Sequence, residues 1–591
     1  MLEHAISSGK VTTLDAIPFE TVVDALRANA ERIPHDSLFT CLPDGEEAEA
    51  PITFAALDAK ARAVAASLRA QAEPGSRALL LFAPGPEFIV AFFGCLYAGV
   101  VAVPTYLPHP AQRARGLLRL AGVIEDAQPA VILTTSDIRA YVEPAAYAIP
   151  ELQETAWLAT DTIPDAGTAE WTAPELTPDS VALLQYTSGS TGQPKGVIVT
   201  HGNLMHNIGV MRRSLDLDES SICVGWLPPY HDMGLISMII TPAVLGFHSV
   251  TMPTVAFLQK PVRWLRAIST YRGTVSAAPN FAFELCAQKA TDEDKAALDL
   301  SSWAAVGNAA EPVRADSIKR FRAAFEASGF SPEAMLPVYG LAEGTLMVSA
   351  ATMGEPPVLR AFDTGALEQG IARRAPEDSP DARVLVSCGI SQGLLVAIVD
   401  PEQRVRCGPG RMGEIWVAGP SVAAGYWQRP DLSKEVFEAT LRSGAEGPFL
   451  RTGDLGFETE DGLFVTGRIK DVIIVSGRNH YPQDIERTAE SAHPAVRPGC
   501  VAAFGVEADG EETVVVAAEL RRGTGEGPDA VDPAEVSSAV RRAVMGEHRL
   551  AVRDVVVLPA GALPKTSSGK LQRRETKKEY LTGQAPWNGR Y

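Results

Sequence analysis

Residues 186–197 read Tyr-Thr-Ser-Gly-Ser-Thr-Gly-Gln-Pro-Lys-Gly-Val. Hydroxyls, glycines and one lysine are crowded into a short run. The glycines let backbone N–H groups approach an anion closely, the hydroxyls add donors and the lysine adds charge. Such a loop suits a polyphosphate. The common phosphate loop with Gly before its lysine and Ser or Thr after it does not fit, because Pro194 and Gly196 hold those places. The run also leads into the strand-like Val197-Ile198-Val199 rather than straight into a helix. This is a phosphate-gripping loop of another kind.

A loop of that kind needs a rigid frame. The chain has 591 residues, long enough for two to four domains by length alone. Hydrophobic residues make up 46% and charged residues 21%, an ordinary globular balance. A net charge of −19 argues against sequence-independent nucleic-acid binding, which needs a positive surface. The seven cysteines are scattered and form no Cys-x-x-Cys pair, so neither a zinc site nor a disulfide framework is expected. The N-terminus shows no apolar leader, and the longest apolar run, Phe88 to Val103, is short for a membrane span. No transmembrane segment and a cytoplasmic location are expected. That run reads as a buried helix, a stop near Gly99, then a strand. Residues 54–68 place Leu57, Ala61, Val64 and Leu68 on one helical face after Thr53 as N-cap. Short apolar runs at 78–82, 131–133, 222–224 and 250–252 read as strands buried on both faces. Alternation of these patterns predicts an α/β fold with parallel strands. Beyond Lys470 the mixture of strands and helices, among them a helix around 534–546, predicts a small α+β lid.

Further motifs follow in order. They are Gly307-Asn-Ala-Ala-Glu-Pro312, Tyr339-Gly-Leu-Ala-Glu343, Tyr426-Trp-Gln-Arg-Pro430, Arg451-Thr-Gly-Asp454, Gly467-Arg-Ile-Lys-Asp471 and Leu563-Pro-Lys-Thr-Ser-Ser-Gly-Lys570. Together with the 186–197 run they resemble the adenylate-forming superfamily of acyl-CoA synthetases, luciferases and peptide-synthetase adenylation domains. The resemblance spans residues 186 to 570. It implies a large N-terminal domain, residues 1–469, and a mobile C-terminal lid, residues 470–591, hinged at Lys470.

It also implies ATP and Mg²⁺, and a carboxylate that attacks the α-phosphorus of ATP. Thr187, Ser188, Gly189, Ser190, Thr191, Gly192 and Lys195 would hold phosphates. Lys570 would be the catalytic lysine and Glu343 the magnesium ligand; one glutamate suffices, since Mg²⁺ takes most of its oxygens from phosphate and water. The residue before it is Ala342, not the family's usual threonine, so that hydroxyl is missing. Asp454 would accept hydrogen bonds from the ribose hydroxyls. Arg468 would contact ribose or the α-phosphate, unless it pairs with Asp471, and Lys470 would be the hinge. Tyr339, followed by Gly340 and Leu341, would stack on adenine, with Asn308, Ala309, Ala310 and Glu311 along its edge. His231, in Trp226-Leu-Pro-Pro-Tyr-His-Asp-Met-Gly-Leu235, would border the acyl carboxyl, whereas His201 reads as part of a helix start.

Within the superfamily, that run and those at 278–286 and 477–486 resemble fatty acyl-AMP ligases. The 71-residue step from Glu343 to Glu414 is roughly twenty longer than expected for an acyl-CoA synthetase, and long connections in compact domains tend to be functional. The extra stretch, about 354–382, looks like that family's insertion, which is thought to hinder the lid motion that supports CoA use. The substrate would then be a fatty acid in an apolar tunnel lined by Met238, Ile239, Phe281, Phe283 and Met347. These five residue types fit plain core equally well. The acceptor would be the phosphopantetheine thiol of a separate holo acyl carrier protein, or a carrier domain of a polyketide or peptide synthetase. Cys388 has no sequence partner that would make it a nucleophile. Two alternatives stay open: an acyl-CoA synthetase using free CoA, and a non-catalytic adenylate-binding protein.

Overall fold

The computed structural model describes residues 14, 17–108, 113–146, 149–164, 171–187, 194–444, 447–475, 478–508, 511–524, 531–565, 569–583 and 587. Two large sheets carry the N-terminal part. One runs Met347–Ala350, Met335–Gly340, Ala305–Ala309, Val275–Pro279, Ile222–Gly225, His248–Thr251, Ser37–Cys41, Ile52–Thr53. Its interior pairings are parallel and both edge pairings antiparallel. The other runs Ala156–Ala159, Val131–Thr134, Arg77–Leu81, Val101–Thr105, Val181–Thr187, Lys195–Thr200. It is parallel except for its last hairpin. The α/β expectation holds, with antiparallel edges that the periodicity does not reveal.

Local chemistry explains the elements. Helix Pro86–Ala98 is buried from Phe88 through Ala98 and ends where Gly99, at φ +68°, takes the left-handed turn. Helix Phe54–Arg69 starts on Thr53, whose Oγ1 accepts the Ala56 N–H at 3.2 Å, and buries Leu57, Ala61, Val64 and Leu68. Thr53→Ala is expected to cost about 1 kcal/mol, read as a lowered midpoint in thermal unfolding. An unchanged midpoint would show that the cap contributes nothing. His201 begins helix His201–Leu215 and is buried. Burial pulls its pKa down to about 4, and its Nδ1 accepts the Val22 N–H at 3.3 Å. An aromatic cluster centred on Trp264, within 5.2–6.3 Å of Trp303, Phe283, Phe257 and Trp226, fills the space behind the larger sheet.

A four-stranded antiparallel sheet follows: Leu395–Val399, Gly413–Ala418, Leu450–Thr459, Gly462–Arg468. Beyond it a separate apolar core forms around Val501, Val514, Val516, Val536, Val540 and Val555. It joins strands Val496–Ala508, Glu511–Leu520 and Val552–Leu558 to helices Pro482–Ser491 and Pro533–His548. The 354–382 stretch forms strand Leu359–Asp363 and helix Thr364–Glu368, and the strand pairs with Ala382–Val386. Charges join this hairpin to the C-terminal part. Arg383 meets Asp484 at 2.8 Å, and Glu368 faces Arg478 at 3.5 Å and His480 at 3.7 Å. All seven cysteines are free, and among the described residues no helix is long and apolar enough to cross a membrane.

Candidate active site

The cavity that gathers the motif residues has a volume of about 1780 Å³ and lies between the N-terminal sheets and the C-terminal part. Its walls grow from the carboxyl ends of parallel strands. Tyr230 and His231 follow Ile222–Gly225, Phe281 follows Val275–Pro279, Ala310 and Glu311 follow Ala305–Ala309, and Leu341 to Glu343 follow Met335–Gly340. Ligands in α/β sheets bind at such ends. The turns fit tightly. A Cβ on Gly340 would sit 1.9 Å from the Leu346 carbonyl oxygen, so only glycine passes there. Ala310 holds φ +70°, a left-handed conformation costly for a side-chain-bearing residue.

Glu343 and Lys195 face each other across Tyr426. The Tyr426 hydroxyl donates to Glu343 Oε1 at 2.7 Å, and Lys195 Nζ lies 5.1 Å from the ring centroid. Burial, then the charge of Lys470, lowers the Lys195 pKa. Thr187 pairs with Lys195 in the hairpin register, and Ser188, Gly189, Ser190, Thr191 and Gly192 lie outside the described residues.

Asp454 sits opposite Arg468 in the antiparallel register. It accepts the Tyr339 hydroxyl at 2.8 Å and Arg468 Nε at 3.0 Å, while Thr452 Oγ1 accepts its backbone N–H at 3.0 Å. Arg468 therefore pairs with Asp454 rather than with Asp471. Burial, then the Asp454 charge, keeps the Tyr339 phenol protonated. Beneath them Glu414 accepts hydrogen bonds from Arg451, Gly453 N–H and Trp416 Nε1 and fixes the turn.

Elsewhere in the cavity wall His231 Nδ1 lies 2.5 Å from Asp232 Oδ1. Burial alone would raise the Asp232 pKa, but His231 and Lys570 hold it below the usual range. Glu311 is pushed the other way by burial, and its Oε1 accepts the Phe281 N–H at 2.6 Å. Lys570 reaches in from the C-terminal part. Burial lowers its pKa, opposed by the carboxylates of Asp232 and Glu311. Gln572 ties the same segment to Arg119 at 2.8 Å.

Lys195, His231, Ala309, Ala310, Glu311, Tyr339, Gly340, Leu341, Ala342, Glu343, Asp454, Arg468, Lys470 and Lys570 all line this one cavity. Asn308 stands behind the wall, fully buried, with Nδ2 3.4 Å from Asn280 Oδ1. Of the five tunnel candidates, Phe281 and Met347 line the cavity. Met238, Ile239 and Phe283 do not. Met238 packs against Gly225, Ile239 is buried in the helix turn Ile236–Ile240, and Phe283 lies between Trp264 and Phe321. The apolar wall is instead completed by Met211, Leu215, Val338 and Leu346, with Ser237 and Ser276 among them. Ser237 lies in Ile236–Ile240, which is wound as a π-turn, a winding that residue types do not announce. Cys388 is buried, and burial pushes its thiol up to about 12, which disfavours the thiolate a nucleophile needs.

Among the described residues no group of three or more His, Cys, Asp or Glu forms a metal cage. Magnesium bound between phosphates needs only one or two protein carboxylates, and Glu343, an oxygen donor in the cavity wall, meets that need.

Two family models match the chain: "AMP-binding enzyme" over residues 26–427 and "Disco-interacting protein 2-like, AMP domain" over residues 470–588. A medium-chain-fatty-acid–[acyl-carrier-protein] ligase of Moorena producens is 44% identical, with 96% of each chain covered. A long-chain-fatty-acid–AMP ligase of Mycolicibacterium smegmatis is 37% identical over 90% of this chain and 89% of its own. Among solved structures, one from studies of fatty acyl-adenylate ligases from E. coli and L. pneumophila has a TM-score of 0.85 at 33% identity, covering 97% of this chain and 99% of that one. An L. pneumophila fatty acyl-adenylate ligase in complex with acyl adenylate and pyrophosphate has a TM-score of 0.74 at 36% identity, covering 97% and 98%.

Proposed function

The chain belongs to the AMP-binding enzyme family, among its fatty acyl-AMP ligases, and from that premise we propose that it activates a medium- or long-chain fatty acid with ATP and passes the acyl group to a carrier protein. The observation that carries this reading is that Lys570, Glu311, His231 and Asp232 line one cavity together with Glu343, Asp454 and Arg468, with Lys570 beside Asp232 and Glu311.

The first step brings an anion to a polyanion. One fatty-acid carboxylate oxygen attacks the α-phosphorus, the bond from that phosphorus to the bridging oxygen of the β-phosphate breaks, and pyrophosphate leaves. Lys570 places a positive charge where both the carboxylate and the developing charge would lie. The carboxyl groups of Asp232 and Glu311 favour its charged form, against a burial that lowers its pKa. His231, held by Asp232, borders the acyl carboxyl. Asp454 accepts the ribose hydroxyls, and Arg468 and Lys195 face phosphate oxygens. Tyr339 and the 308–311 turn enclose adenine. A magnesium ion at Glu343 would neutralise charge on the phosphates. In the second step the phosphopantetheine thiolate attacks the acyl carbon and AMP leaves with the bonding pair. Exclusion of water from the filled cavity would protect the mixed anhydride until then.

The working parts divide at 469/470, with the insertion at 354–382. The charged contacts of Glu368 and Arg383 with the lid support a restrained lid that favours a carrier-borne arm over free CoA. Seven free cysteines and a net charge of −19 suit a reducing cytoplasm and no role on nucleic acid. The test offers ATP, Mg²⁺ and a ladder of fatty acids with either free CoA or a holo-carrier protein, read by mass spectrometry. Acylated carrier with little acyl-CoA is expected. Efficient acyl-CoA formation would make this an acyl-CoA synthetase and leave the insertion without its assigned role.

A further inference from the structure

We propose that Tyr426 is a positioning residue that sets both phosphate-facing groups at once, its hydroxyl orienting Glu343 and its ring face holding Lys195. The proposal rests on the roles given above to those two residues. Three segments distant in sequence meet at this side chain. Residues 424–427 run as an added strand along Lys195–Thr200: Val197 bridges Tyr426, Ile198 N–H donates to Gly425 O at 2.9 Å, and Trp427 N–H donates to Gly196 O at 2.8 Å. Ala423 N–H donates to the Glu343 carbonyl at 2.9 Å. The strand that leaves the phosphate loop and the turn that carries Glu343 are thus fixed to one another through 423–427.

Tyr426 itself is clamped. Its N–H donates to Ser433 Oγ at 2.8 Å and its ring packs edge-on to Phe437 at 5.0 Å, leaving it 7% exposed. The phenol O–H donates to Glu343 Oε1 at 2.7 Å. It can satisfy one oxygen of Glu343 and leave the other for a cation. The ring face attracts the Lys195 ammonium, whose charge burial disfavours. A residue serving only as packing would need neither the hydroxyl nor that ring orientation.

Two variants separate the functions. Tyr426→Phe removes the hydroxyl and keeps the ring. Tyr426→Leu removes both. Three readouts are taken: Mn²⁺ binding in the presence of ATP by electron paramagnetic resonance, ATP binding in EDTA by calorimetry, and the Mg²⁺ dependence of pyrophosphate exchange. Tyr426→Phe is expected to weaken Mn²⁺ binding and raise the half-saturating Mg²⁺ by about tenfold, what one hydrogen bond to a charged group supplies. Its metal-free ATP affinity and its KM for fatty acid should stay at the wild-type values. Tyr426→Leu should also lose metal-free ATP affinity. Metal responses of Tyr426→Phe equal to wild type, with Tyr426→Leu altered only in thermal midpoint, would reduce Tyr426 to core packing. Glu343→Gln is measured alongside. If it weakens Mn²⁺ binding and Tyr426→Phe does not, the proposal alone falls. If neither changes it, the role of Glu343 falls with it.

Discussion

Lys570→Ala is expected to lower fatty-acid-dependent pyrophosphate exchange by roughly 10²–10³-fold or more, the scale at which a preorganised charge acts on a transition state. Lys570 lies beside Asp232 and Glu311, where the proposed reaction would bring two anionic reactants together. Arg468, whose charge also acts on Lys570, is paired with Asp454 at 3.0 Å. The loss should fall on kcat with a thermal midpoint no lower than the wild type's, since burial lowers the Lys570 pKa and a lysine so shifted opposes folding rather than aiding it. The pH profile gives a second signature. Burial holds the Lys570 pKa below its ordinary value, so the free enzyme loses this charge as pH rises through the lowered pKa. The alkaline fall in kcat/KM should therefore begin below the pH at which an exposed lysine titrates, and Lys570→Arg, charged throughout, should flatten it. Near-normal exchange in Lys570→Ala would remove the residue from the chemistry.

Asp454→Ala is expected to lower kcat/KM for ATP by at least ~10²-fold. Two hydrogen bonds to an ionised carboxylate contribute about 1.5 kcal/mol or more each, and about 1.4 kcal/mol is a factor of ten. The carboxylate is 5% exposed and already orients Tyr339 and Arg468, so its removal also loosens both. The control is 2′,3′-dideoxy-ATP. The wild type should discriminate strongly against it, whereas Asp454→Ala should treat it and ATP nearly alike. Continued discrimination by the variant would place the ribose hydroxyls elsewhere.

The stops and caps of the fold were legible because their causes are local. Thr53, Gly99 and the buried run after Glu87 act within a turn or two of the chain. The charged members of the site were legible for a different reason. Glu343, Asp454, Arg468 and Lys570 occur in motifs whose residue types have little other use in that order, and the structure places all four on one cavity. The tunnel was not legible. Met238, Ile239 and Phe283 have the same residue types as a tunnel wall, yet they lie off the cavity, the first two buried in the π-turn Ile236–Ile240 and Phe283 against Trp264, and residue type alone does not tell the two places apart. Tyr426 stood in a quoted motif without a role, since its partners lie 83 residues away at Glu343 and in the hairpin at Lys195. Tyr230 had no role in the sequence either, yet a polar residue just past the carboxyl end of a parallel strand stands where a ligand is expected.

The central claim is attack of a fatty-acid carboxylate on the α-phosphorus. The most direct measurement uses a fatty acid labelled with ¹⁸O in its carboxyl group, with ATP, Mg²⁺ and a holo-carrier acceptor, followed by mass spectrometry of the released AMP. The account predicts acyl-AMP as an intermediate, pyrophosphate as product, and one ¹⁸O carried into AMP. AMP without label, or release of ADP and phosphate, would contradict it.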